Sequence, residues 1–227
     1  MSDRILVWDL PLRLFHWLLA ACVSLALLTG WLGGAWIDWH ARLGLAIVGL
    51  LSFRLAWGLC GSTHARFSAL WRAIVHLRDY LGGGWKGIGH NPLGSLSVVA
   101  FLLLLAAQAC GGLISTDDIA FGGPLQSLVS SDLSETVSSL HRLGLWPILA
   151  LIILHLGAIA WHTRIKHHAL VPAMISGYTQ RTDASQQSAR GGNWPALLAA
   201  LIFAGLMVWL ASGTWIPAPP PATTPAW

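Results

Sequence analysis

Long runs of apolar residues separated by short polar segments set the pattern of this chain. A helix crossing a bilayer needs about 20 mostly apolar residues, each rising about 1.5 Å. Five runs meet that length, predicted over residues 14–36, 42–61, 93–115, 143–163 and 194–213. Residues 179–193 are polar and rich in Gln and Ser, which predicts a linker joining the fifth run to the first four. Residues 214–227 form a Pro-rich tail, read as an extended segment. The expected organisation is thus an all-α, integral membrane four-helix unit over residues 1–178, with a fifth transmembrane helix added at its side.

Composition agrees. Hydrophobic residues make up 55% of the 227 residues and charged ones 10%, against about 25% charged in soluble domains. Too little charge remains to clothe a soluble surface. Asp3, Arg4 and Asp9 precede the first run without a small-residue cleavage site, so no cleaved signal peptide is expected. Of the 14 Trp residues, Trp8, Trp31, Trp36, Trp39, Trp85, Trp146, Trp161, Trp194 and Trp215 fall near predicted helix ends. There the indole has one apolar and one wet side, as in an interfacial belt.

The net charge of +4 does not point to nucleic acid, because the cations lie in loops beside the apolar runs. Eleven of the 13 Lys and Arg fall on one side: Arg4, Arg13, Arg54, Arg66, Arg72, Arg78, Lys86, Arg164, Lys166, Arg181 and Arg190. Only Arg42 and Arg142 fall on the other. The positive-inside rule then predicts a cytoplasmic N-terminus, a cytoplasmic linker and a periplasmic tail. The loop between the third and fourth runs is acidic, with Asp117, Asp118, Asp132 and Glu135.

Ionisable residues within membrane spans point to function. His16 lies about one turn into the first run. His155 lies in the fourth, roughly 8 residues or about 12 Å from its inner end. His40 and His141 stand at the outer starts of the second and fourth. The four therefore sort by depth into an inner pair and an outer pair. His141 and His155 are 14 residues apart, which is about 40° short of four helical turns and about 21 Å along the axis. Both rings then share one helix face. Neutral imidazole is a good iron ligand, and helical bundles build cofactor sites from facing helices. A lone histidine in a span is ordinarily a hydrogen-bonded packing residue; two depth-matched pairs sharing one helix favour two haems. The cysteines Cys22, Cys60 and Cys110 form no C-x-x-C-H motif, so such haems are held non-covalently.

Gly30, Gly44, Gly49, Gly111, Gly112, Gly144 and Gly157 let either a flat macrocycle or a neighbouring helix approach the backbone. His162 lies two turns beyond His155 and either contacts a haem propionate or quinone, or is an interfacial side chain. His64, His76 and His90 are expected to be solvated in the inner loop. His167 and His168 are expected to face water or headgroups.

Several stretches carry a family likeness: V-W-D-L-P-L-R-L-F-H-W at 7–17, W-H-A-R-L-G at 39–44, N-P-L-G at 91–94, G-P-L at 123–125, L-H-R-L-G at 140–144, L-H-L-G-A-I-A-W-H at 154–162 and L-V-P-A-M-I-S-G at 170–177. Over residues 4–178 the chain resembles the bacterial cytochrome b561 family, grouped with the cytochrome b subunits of nickel–iron hydrogenases. The resemblance implies a four-helix core with two b-type haems, His16 with His155 on the inner one and His40 with His141 on the outer. It implies electron exchange between membrane quinones and a redox partner, such as a hydrogenase or c-type cytochrome, in a bacterial inner membrane.

Three functions follow as expectations. The first is a dihaem electron-transfer subunit whose acidic outer loop docks a basic periplasmic c-type cytochrome, although the same loop follows from the positive-inside rule alone. The second is a superoxide oxidase reducing ubiquinone. It needs a positive funnel, and the outer side offers Arg42 and Arg142 against five acidic residues. The third is a non-redox transporter or anchor, for which Gln108 is the main polar residue within a span.

Overall fold

The computed structural model describes residues 4–117, 121–181, 183 and 186–217. Asp3, Asp118 and most of the Pro-rich tail, from residue 218 on, lie outside the described residues. Five helical stretches are long and apolar enough to cross a membrane: Leu10–Leu32, Gly34–Cys60, Pro92–Leu113, Ser131–Arg164 and Trp194–Ala211. The protein is a multi-pass, all-α membrane protein.

Three membrane helices begin by the same device. Helix α1 (Leu10–Leu32) is capped by Asp9, whose carboxylate accepts from Leu12 N–H at 2.7 Å, with Pro11 in the first turn. Helix α5 (Pro92–Leu113) is capped by Asn91 onto Gly94 N–H at 2.7 Å, again with proline in the first turn. Helix α9 (Trp194–Ala211) is capped by Asn193 onto Ala196 N–H, with Pro195 following. Each cap satisfies an otherwise orphaned N–H, and proline costs nothing where no N–H is needed. Helix α1 ends four residues before its expected boundary, because Gly33 and Gly34 both take positive φ, 60° and 52°. That turn leads through a short 3-10 segment into α2 (Ile37–Cys60).

The fourth span differs most from expectation. A helix α6 (Ser131–Leu143) precedes α7 (Leu145–Arg164), and backbone hydrogen bonds run on through Gly144. His141 therefore lies ten residues into a helical stretch, not at its start. Between α2 and α5 lie two short helices, α3 (Phe67–Val75) and α4 (Leu77–Leu81). After α7 comes α8 (Leu170–Ser176), closed by Gly177 at φ 89°.

The N-terminal face carries an element absent from the sequence reading. Strand β1 (Arg4–Leu6) pairs antiparallel with β2 (Tyr178–Gln180), in the register Arg4 with Gln180 and Leu6 with Tyr178. The Gly177 carbonyl also accepts from Val7 and Trp8 N–H. The segment expected as a linker runs back over this face: Ala189 N–H donates to the Leu6 carbonyl at 2.7 Å, and Thr63 N–H to the Arg190 carbonyl at 2.9 Å.

Two apolar clusters hold the bundle. One, at the N-terminal face, gathers Ile5, Val7, Trp8, Phe15, Phe53 and Trp57 with Ala200 and Ala204 of α9. The other, further along, packs Val23, Ala26, Ile47, Leu51, Leu105 and Ile148. Trp8 belongs to the first cluster at 8% exposure, so it departs from the expected aromatic belt. Trp31, Trp36, Trp39, Trp146, Trp161, Trp194 and Trp215 remain exposed. Helix α9 lies along α2, where its alanines and Gly49 allow close approach: a Cβ on Gly49 would meet Val208 at 2.8 Å.

Candidate cofactor site

Four imidazoles meet in two pairs. His16 on α1 and His155 on α7 have ring centres 6.5 Å apart, with planes inclined at 51°. His40 on α2 and His141 on α6 lie 5.9 Å apart, nearly perpendicular at 87°. An iron held by two imidazole nitrogens at about 2 Å each, with about 1 Å more to each ring centre, sets the centres about 6 Å apart. Both pairs have that spacing.

The helices bearing paired rings do not pack closely on each other. Helix α1 packs on α2, and α7 on α5 and α6, but α1 with α7, and α2 with α6, share no extensive contact. The rings therefore span gaps, and all four are half-buried. Among the described residues no group of three or more His, Cys, Asp or Glu could hold a metal ion alone. Paired imidazoles with room between suit an iron whose equatorial ligands come with it, as in haem.

The pair around His40 and His141 is oriented by backbone carbonyls. His40 Nδ1 lies 2.8 Å from the Ala26 carbonyl, and His141 Nδ1 lies 3.0 Å from that of Gln108. A carbonyl only accepts, so each Nδ1 carries the proton and Nε2 keeps its lone pair for a metal. Gln108 also donates from its side-chain amide to the His141 carbonyl at 2.6 Å. Gln108, read from sequence as a polar residue near the middle of a span, thus clasps the ring-bearing turn of α6. Glycines leave space for these rings. A Cβ on Gly30 would meet His40 Nδ1 at 2.8 Å, and one on Gly112 would meet His141 Cε1 at 3.1 Å. A Cβ on Gly144 would collide with the Gln108 side chain. Gly49 serves helix packing instead, while Gly44 and Gly157 face open space.

The pair at the N-terminal face is framed by aromatic edges. Trp17 meets His16 at 5.0 Å and 88°, and Phe101 meets His155 at 5.5 Å and 86°. His16 Nδ1 is closed off without a hydrogen-bond partner. His162 stands apart, its Nε2 3.5 Å from the Tyr80 hydroxyl, its ring stacked on His168 at 5.6 Å. Tyr80 also accepts from the Asn91 amide at 3.3 Å.

His90 contradicts the expectation of a solvated loop residue. It leans on Trp8 with ring centres 4.6 Å apart, and its Nδ1 is closed off without a partner. Burial, then the nearby Arg54 guanidinium, pushes it down to about 3, so it is neutral. His76 is exposed and paired with Asp79 at 2.8 Å, and His64 lies 3.0 Å from the Gln187 carbonyl. Arg54, counted from sequence among the inner-side cations, is only 2% exposed. Its one legible signal was its offset of 14 residues from His40, the same as that of His155 from His141.

A membrane helical bundle with facing imidazole pairs in gaps between its helices has the build of a haem-binding membrane cytochrome. Residues 7–177 match the model of the prokaryotic cytochrome b561 family, three quarters of the chain, and the chain belongs to that family. Haem b is accordingly its cofactor. Among similar proteins, a probable Ni/Fe-hydrogenase B-type cytochrome subunit of Azotobacter chroococcum mcd 1 is 25% identical, covering 80% of this chain and 91% of that protein. One of Rhodobacter capsulatus is 26% identical over 76% and 80%. The probable Ni/Fe-hydrogenase 1 B-type cytochrome subunit of Escherichia coli (strain K12) is 22% identical over 78% and 92%. No solved structure matches the chain.

Proposed function

We propose that this chain is a dihaem electron-transfer subunit of the bacterial inner membrane, linking the quinone pool to a redox enzyme. His16 and His155 would hold the inner haem, and His40 and His141 the outer one. The observation that carries this reading is the pair of ring spacings, each suited to one iron, at two levels of the bundle. A haem iron between two imidazoles takes up and releases one electron without an open site for substrate. The protein's own part is to fix the rings. The Ala26 and Gln108 carbonyls hold the outer tautomers, and Trp17 and Phe101 frame the inner rings.

The distribution of Lys and Arg supports a cytoplasmic N-terminal face, with the outer pair toward the periplasm. The names of the similar proteins make a hydrogenase-like enzyme the first partner to test, ahead of a c-type cytochrome. His162, with Tyr80 and Asn91 nearby, is the proposed contact for a quinone or propionate. The test is to add a short-chain quinol to the oxidised protein and follow the haem α-band. Reduction of both haems supports the reading. Haems that are reduced by dithionite but never by quinol contradict it.

A further inference from the structure

We propose that Arg54 binds the propionates of the haem held by His16 and His155 and raises that haem's reduction potential. This rests on the dihaem reading above. Arg54 is the only charged residue buried among the described residues. Its Nη1 is closed off and has no hydrogen-bond partner. Asp9 acts on it only at a distance. The two Asp9 oxygens are already taken, Oδ1 by Leu12 N–H at 2.7 Å and Oδ2 by the Trp57 indole N–H at 3.0 Å. A buried guanidinium without an anion is strongly disfavoured, so it is retained where an anion meets it.

The position of Arg54 selects the anion. Helix α2 is unbroken from Ile37 to Cys60. Fourteen residues after His40, Arg54 is about 40° short of four turns and about 21 Å along the axis. His40 and Arg54 therefore share one face of α2, at the levels of the two imidazole pairs. The guanidinium carbon lies 5.0 Å from the ring centre of Phe67, the first residue of α3 at the N-terminal face. A cation between the inner pair and that face suits the carboxylate edge of a haem, which a planar guanidinium binds through paired N–H donors. A lipid phosphate would offer similar chemistry from the membrane side, and the experiment separates the two.

The test is a potentiometric titration of the purified protein, wild type against Arg54→Gln. The His155→Ala variant marks which transition belongs to the inner haem. Loss of a positive charge beside the haem disfavours its reduced state. The reduction equilibrium constant of the inner transition is expected to fall by about tenfold, which is 59 mV for one electron, while the outer midpoint stays. An unchanged inner midpoint, or an equal fall of both, overturns the assignment. If Arg54→Gln does not accumulate, wild-type apoprotein reloaded with haem b or with haem dimethyl ester carries the test. The inner site is expected to favour haem b by about tenfold. Equal loading overturns the proposal and points to a lipid phosphate. Failure of the dihaem reading shows separately, as a haem content other than two or as a His155→Ala variant that keeps both.

Discussion

A methyl group added at Gly30 would press on the His40 ring, and one added at Gly112 on the His141 ring. The space those rings need is carved by single hydrogen atoms. Gly30→Ala is therefore expected to tilt His40 off its ligand position and weaken or remove the outer haem, with the inner α-band unchanged. Gly205→Ala, where nothing lies within 4 Å, is the control and is expected to leave the visible spectrum intact. Gln108→Leu removes the donor to the half-buried His141 carbonyl, and the lost hydrogen bond costs about 1 kcal/mol. The expected result is a lower melting temperature, followed by Soret loss, and a displaced outer potential. The four histidines of the pairs were legible because depth in a membrane can be counted along a helix. His90 and Arg54 were not, because Trp8, α2, α3 and the start of α5 converge on them from distant parts of the chain.

At the scale of the element, the membrane helices were legible through their apolar length, but the caps Asp9, Asn91 and Asn193 that fix three of their starts were not, and α1 begins four residues before the expected boundary. Helix α6 was not legible, for a physical reason. Its fully buried positions are Ser134 and Ser138, which donate to the Ile114 and Ser134 carbonyls at 2.7 Å. Leu133, Val137 and Leu140 do recur at helical spacing, but they lie on the exposed or half-buried side, and the segment is too polar to register as an apolar run. The short β1–β2 ribbon escaped likewise, since three residues per strand give no pattern. Helix α9 seats Ala200 at 0% exposure against the first cluster. Ala200→Leu overpacks that seam and is expected to cost about 1–3 kcal/mol. Thermal unfolding in detergent should show the loss with both haem spectra retained, if α9 is an addition beside the cofactor-binding helices.

For the whole molecule, the two-sidedness of charge and the levels of the imidazole pairs support the proposed arrangement of one pair toward each membrane surface. A phosphatase fused after residue 217 is expected to be active, and a fluorescent protein fused there dark, because the proposed orientation puts that end in the periplasm. The reverse outcome would turn the bundle over and exchange the inner and outer haems. The positive funnel needed for superoxide has little support. Arg42 lies over Trp39, 5.2 Å from its ring centre, and Arg142 donates to Ser139 at 3.2 Å. Gln108, the residue a transporter would need free, is engaged with His141. The central claim is that two imidazole pairs grip two haems in one chain. Pyridine haemochrome quantification against protein mass tests it most directly, on the wild type and on His155→Ala and His141→Ala. The account predicts two haems b in the wild type and one in each variant, the survivors differing in potential. A single haem in the wild type, or full haem content in either variant, would contradict it.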